Sequence, residues 1–263
     1  MAEAEFLKRY GPVALVTGAS SGIGWAFAEE LAARGFDLAV AARRTGNLDE
    51  LAAKLKAEHG TATTVIEADL ADPAGPAALL ATTAGLDIGL VVSNAGFSMK
   101  GAHEAHDAAE MNMMLMVNCN APLLLAHGFI PRLKARGRGG IVFTASIEGL
   151  MGCPYSTPYS ASKALVIALG EGLWGEMQGT GIDILTVCPG ATESEGSARY
   201  AAQYGPIPNL QPAREVAALT LDNIAEGPTY LPHPVYKAMF EQMTAMPRRD
   251  ALNAMAAGLR GKV

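Results

Sequence analysis

The chain has 263 residues, half of them hydrophobic and only 17% charged. That balance excludes disordered, collagen-like and coiled-coil chains, and one α/β domain often reaches about 250 residues. Lys and Arg number 20 against 26 Asp and Glu, for a net charge of -6, which argues against nucleic acid as a partner.

In chain order, residues 13–17 read as a strand, 23–34 as a helix, 37–42 as a strand, 47–59 as a helix and 62–68 as a strand. A helix over 73–84, a strand over 88–93 and a long helix over 107–136 follow. Then come a strand over 140–145, a helix over 158–177 and a strand over 182–188. The strand runs (ALVT, LAVAA, GLVVS, IVFTA, ILTVC) are apolar without alternation, as in parallel sheets covered on both faces. Strand–helix alternation at this spacing predicts one domain of the α/β class. Its form is a doubly wound parallel sheet, Rossmann-like, in three α/β/α layers. Residues 190–212, rich in Gly, Pro, Ser and Glu, read as a mobile substrate lid with at most one helix. Residues 235–258 read as a helical tail broken at Pro247.

The most apolar stretch, 111–131, is interrupted by Asn112, Asn118, Asn120, Pro122 and His127, so a buried helix is expected there rather than a membrane span. The first dozen residues lack the apolar core of a signal peptide. Cys119, Cys153 and Cys188 have no paired spacing. Neither disulfides nor a metal site is expected, and a reducing, cytoplasmic setting fits.

The first strand runs into Thr17-Gly18-Ala19-Ser20-Ser21-Gly22-Ile23-Gly24 and then a helix. Glycines there permit a tight turn and a close approach of backbone to a pyrophosphate, and the helix start offers free N–H groups. The second strand ends in Arg43-Arg44, not in the acid that receives a ribose 2′-hydroxyl, and Asp37 sits at its opposite end. A guanidinium matches a phosphate with paired donors. This predicts NADP(H) over NAD(H), with Arg43 on the 2′-phosphate and Arg44 second. Further on, Thr157 serves as an N-cap and Pro158 opens a helix. Tyr159 and Lys163, at i and i+4, then share one face. A neighbouring ammonium is expected to lower the pKa of the phenol and let it exchange protons near neutrality. Ser146 follows a strand end, where ligands bind in open α/β sheets.

With these motifs in order from about residue 12 to 224, the chain resembles the short-chain dehydrogenase/reductase family. Thr17 to Gly24 resembles its T-G-x-x-x-G-x-G turn, and Asp69-Leu70 its adenine-contacting pair. Ser93-Asn94-Ala95-Gly96 resembles its N-N-A-G, with serine for the first asparagine. Asn118, Ser146, Tyr159 and Lys163 resemble its catalytic tetrad. Pro189-Gly190 matches its turn against the nicotinamide, with Thr192 and Ser194 as contacts to the nicotinamide amide. The resemblance implies a carbonyl reductase or alcohol dehydrogenase. In it, hydride passes from NADPH to a carbonyl carbon while Ser146 and Tyr159 hold the oxygen. Tyr159 gives the proton, Lys163 binds the ribose, and Asn118 holds a relay water. A cofactor-binding sensor or scaffold on the same fold, without turnover, is the alternative. A lyase, epimerase or dehydratase would need a larger substrate-binding region. A hydrophobic substrate is expected beside Phe97, Met99, Glu148, Met151, Cys153 and Tyr155. The terminal sequence lacks the family's V-D-G-G-like strand end, which weakens the usual tetramer contact. A homodimer through the two long helices, or a homotetramer, is expected.

Overall fold

The computed structural model describes residues 3–260. A first helix, α1 (Glu3–Tyr10), precedes β1 (Val13–Thr17), α2 (Gly22–Ala33), β2 (Asp37–Ala42), α3 (Thr45–His59) and β3 (Thr63–Glu67). There follow α4 (Gly75–Thr82), β4 (Ile88–Ser93), α5 (Ala108–Leu115), α6 (Ala121–Arg136), β5 (Gly139–Thr144), α7 (Thr157–Glu176) and β6 (Ile182–Val187). The chain continues through α8 (Glu195–Tyr204), α9 (Ala213–Asp222), β7 (Thr229–Tyr230), α10 (Pro234–Ala245) and α11 (Arg248–Leu259).

The seven strands form one sheet in the order β3-β2-β1-β4-β5-β6-β7, every pair parallel. Successive strand residues point to opposite faces, and both faces are dry. Leu15, Ala39, Val91, Ile141 and Phe143 pack with Leu125, Phe129 and Leu133 of α6 on one side. Val16, Val40, Val92 and Val142 pack with Phe27 and Leu31 of α2 and Leu48 and Leu51 of α3 on the other. Two buried faces explain why the strands read as unbroken apolar runs. The chain reverses its winding between β1 and β4, and the crevice at such a switch point is where open α/β sheets take ligands.

The structure adds detail to three parts of the sequence reading. The helix expected over 107–136 carries a wider π turn, Met116–Asn120, between α5 and α6. Its run Ala108–Arg136 is long and apolar enough to cross a membrane by length and composition, yet α6 packs against α4, β4 and β5. Residues 190–212 are closed at their base, where Glu193 N donates to Gln211 O and Gln211 N to Ala191 O, each at 2.9 Å. The tail does break at Pro247, which caps α11, and it buries Phe240 and Ala251 in the core.

Candidate functional site

The ends of β1, β4, β5 and β6 bring the motif residues to one rim of the sheet. Gly18 and Gly22 adopt φ of +68° and +59°, a region that strains any residue with a Cβ. A Cβ on Gly24 would stand 2.3 Å from the Gly18 carbonyl oxygen, so the turn folds as it does only because these positions are bare. Ser21 occupies the N-cap of α2 without a side-chain cap bond. Its orphan amides are thus left to an anion, and Ile23 lies in the first turn, one residue after the helix begins at Gly22. Thr17, fully buried, fixes the turn to β4: its Oγ1 accepts from Asn94 N at 3.0 Å and Ala95 N at 3.1 Å. Asn94 Nδ2 returns a bond to Thr17 O at 3.1 Å. The glycine cradle and the uncapped helix start suit a dinucleotide pyrophosphate.

Of the two arginines, Arg44 is the one joined to this turn. Its Nη2 donates to Ser21 Oγ at 3.1 Å and Ser20 Oγ at 3.3 Å, and its Nη1 to Glu195 Oε1 at 2.9 Å. Arg43 is exposed. Asp69 is exposed as well and spends Oδ1 on the amide of Ala71 at 2.9 Å, while Leu70 is buried beside it.

Ser146 follows β5, Tyr159 and Lys163 lie together on α7, and Lys163 stands against Gly96. Ser146 ends the loop after β5, and its Oγ accepts from Glu148 N at 3.2 Å. The helix α7 begins one residue earlier than expected, with Ser156 at the N-cap and Thr157 in its first turn. Tyr159 is half-buried. Lys163 is buried, lies 5.7 Å from the Tyr159 ring centre, and donates to Thr144 O at 2.8 Å. A Cβ on Gly96 would stand 3.3 Å from Lys163 Nζ and 2.9 Å from Asn118 Oδ1, so this glycine leaves the lysine room.

The electrostatics correct one expectation. Burial pushes the Tyr159 phenol well above its usual pKa, the Glu148 carboxylate adds to the rise, and a hydrogen bond with Ser146 opposes it. Burial also brings Lys163 down to about 8, and the sum of its surroundings leaves the phenol raised rather than lowered. The Asn118 side chain is bonded to the loop after β4 and to α7. Its Oδ1 accepts from Phe97 N at 3.1 Å, and its Nδ2 donates to Phe97 O and Ser162 Oγ, each at 3.0 Å. The side chain is a clamp on the loop after β4, set in the π turn; such turns recur at functional sites.

Pro189 O accepts from Ile147 N at 3.1 Å and joins the β6 end to the Ser146 turn. Gly190 is covered by Tyr236 of α10, whose Cδ2 would lie 2.2 Å from a Cβ there. Thr192 Oγ1 donates to Gly190 O at 3.1 Å. Ser194 is the N-cap of α8 and accepts from Ser197 N at 3.0 Å. Burial, with Glu148 nearby, lifts the Cys153 thiol to about 12, which makes it inert. Lys100, absent from the sequence reading, donates to both Glu148 oxygens at 2.5 and 2.7 Å. No motif marks it, because it belongs to a loop with no pattern of its own.

Residues 12–205 match the short chain dehydrogenase family. The 7beta-hydroxysteroid dehydrogenase of Clostridium sardiniense is 29% identical over 256 residues, covering 94% of this chain and 95% of that protein. A short-chain dehydrogenase from Sphingobium yanoikuyae, solved in complex with NADPH, is 33% identical with a TM-score of 0.80 over 96% of each chain. The bulky-bulky ketone specific alcohol dehydrogenase from Comamonas testosteroni is 30% identical with a TM-score of 0.74, over 90% of this chain and 96% of that one. A family match across most of the sequence meets here an all-parallel sheet and a glycine turn at its switch point. The chain belongs to the short-chain dehydrogenase family of oxidoreductases.

Proposed function

We propose that the protein is an NADP(H)-dependent carbonyl reductase or secondary-alcohol dehydrogenase that works through Ser146, Tyr159 and Lys163. The observation that carries this reading is the placing of Lys163 between Gly96 and the Tyr159 ring, with Ser146 beside the phenol, at the same rim as the glycine turn. When bound, the dinucleotide supplies the hydride for reduction or accepts it in oxidation.

Gly18, Gly22 and Gly24 let the backbone approach the pyrophosphate, and the start of α2 neutralises it. Arg44, with Arg43 beside it, takes the 2′-phosphate; the bonds of Arg44 to Ser20 and Ser21 support the preference for NADP(H). Asp69 and Leu70 flank the adenine. Asn94, Ala95, Gly96, Pro189, Gly190 and Thr192 shape the nicotinamide end, and Lys163 holds its ribose. Ser146 donates to the carbonyl oxygen, and Tyr159 gives its proton to the oxygen as the carbon takes the hydride. In oxidation, Tyr159 takes the alcohol's proton back. The phenol, held above its ordinary pKa by burial, carries the proton that reduction consumes. Asn118 keeps the Phe97 backbone in place as a positioning residue.

The substrate is a bulky, largely apolar ketone or secondary alcohol. Met99, Met151 and Cys153, buried in the loops that follow β4 and β5, support this, as do the steroid and bulky-ketone substrates named for the relatives. The exposed Met113, Leu115, Leu123 and Leu165 on α5, α6 and α7 support a homodimer or homotetramer in the cytoplasm.

The test is a spectrophotometric screen of nicotinamide absorbance, with NADPH and NADH against bulky ketones and NADP+ against the alcohols. Turnover favouring NADPH is the expected result. Equal or better use of NADH overturns the cofactor assignment. Tight NADPH binding without redox change on any substrate favours the sensor reading.

A further inference from the structure

Tyr159 has a second lysine beside it. Lys100 Nζ lies 5.7 Å from the ring centre, the same separation as Lys163 Nζ. Lys100 comes from the loop after β4, and besides both oxygens of Glu148 it reaches Ser156 Oγ at 3.0 Å. Ser156 is buried and caps α7, three residues before Tyr159. The amide of Glu148 donates to Ser146 Oγ. One ammonium thus ties together the loop after β4, the Ser146 turn and the start of the helix that carries the phenol. Only about a quarter of each partner's side chain is exposed, 26% for Lys100 and 25% for Glu148, so the pair is shielded more than an ordinary surface bridge.

We propose that Lys100 is a positioning residue of the reaction: by gripping both oxygens of Glu148 it keeps that negative charge from acting on Tyr159, so the pair sets how readily the phenol exchanges its proton. This rests on the reading of Tyr159 as the proton donor. The groups that act on the phenol are Glu148 on the turn after β5, Cys153 on the following loop, Cys188 at the end of β6 and Ser146. Lys163 lies on its own helix. Both thiols are held protonated by burial, which leaves Glu148 as the anion and the two lysines as the cations. A carboxylate near a phenol opposes its ionisation, and a cation on that carboxylate offsets the effect.

The signs follow. Lys100→Met leaves Glu148 uncompensated, so Tyr159 holds its proton to higher pH. Glu148→Gln removes the anion, and Tyr159 ionises at lower pH. The double variant returns toward the wild type, and Lys100→Arg, which keeps the cation, stays there. Charges at this separation in a partly shielded site predict shifts of about half a pH unit or more.

The experiment is an ultraviolet difference titration of the tyrosinate band, each protein measured against the same protein carrying Tyr159→Phe. It is run alongside the pH profile of kcat/KM for NADP+-linked alcohol oxidation. Opposite shifts for Lys100→Met and Glu148→Gln, with Lys100→Arg unshifted, support the proposal. Coincident curves, or shifts of the same sign, overturn it. The titration needs no turnover, so it decides the point even for a chain that oxidises no alcohol, a result that would count against the proposed function alone. Circular dichroism on each variant separates a shifted titration from a lost fold.

Discussion

Arg44 is bound at once to the phosphate turn and to Glu195, the first residue of α8, whose Oε1 it holds at 2.9 Å. The arginine proposed for the 2′-phosphate is thus shared with an acid at the start of α8. About half of each side chain is exposed, 49% and 44%, and exposed pairs contribute about 0.2–1 kcal/mol. Replacing Glu195 with Gln is expected to tighten 2′,5′-ADP by roughly 1.5- to 5-fold and to leave 5′-AMP unchanged. Arg44→Ala should weaken 2′,5′-ADP alone. Isothermal titration with the two nucleotides checks both, and equal changes for the two would refute the competition.

Removal of the phenol hydroxyl tests the chemistry. General acid catalysis contributes about 100- to 10,000-fold, so Tyr159→Phe is expected to lower kcat by at least about 100-fold. NADPH binding, followed by fluorescence, should change little. Wild-type turnover in this variant would end the assignment of Tyr159 as proton donor.

Thr17 accepts from two backbone amides that otherwise lie unpaired. Thr17→Val should cost about 2 kcal/mol, a fall in Tm of roughly 5 °C. It should also weaken NADPH binding, because Asn94 and Ala95 lose their anchor. Thr17→Ser keeps the acceptor and is expected to recover most of both. Thermal melts of the two variants decide it; equal losses would mean that the methyl packing, not the hydroxyl, matters.

Lys163 gives a pH dependence with a definite sign. Its pKa is about 8 in the fold against 10.5 for an ordinary lysine. Between those values the unfolded chain binds one more proton than the native one, so this group makes stability rise with pH across that window. Lys163→Met removes the effect. The variant should be more stable than wild type at pH 7, and its advantage should narrow by pH 9.5, as measured by denaturant midpoints. A constant difference across that range would mean that the lysine is not shifted.

Much of the fold is legible in the chain because two-sided burial writes itself into strands such as Ile88–Ser93, whose bounds the apolar run alone defines. The glycine turn is legible for a similar reason: its positions tolerate nothing larger. Other elements lack such a signature. The helix α1 is short and charged, and holds its place through Arg9 and Tyr10 on Asp183, 173 or more residues away. The strand β7 has two residues and pairs only through Thr229 and Tyr230. The helix α9 follows a proline-rich stretch and went unread, although Val216, Ala217, Thr220 and Leu221 bury one face. In the site, the i, i+4 spacing of Tyr159 and Lys163 is a local fact. The grip of Lys100 on Glu148, 48 residues apart, and that of Arg44 on Glu195, 151 apart, exist only once the sheet has brought the loops together.

Tyr236 lies over Gly190 and also donates to Pro208 O at 3.1 Å. One aromatic ring of α10 therefore rests on the turn after β6 and also holds Pro208, far along the segment that joins β6 to α9. Segment exchange between related proteins has to respect this joint: a chimera that takes α10 and α11 from another member replaces the ring that fixes both places, and works only if the bare position at 190 travels with it.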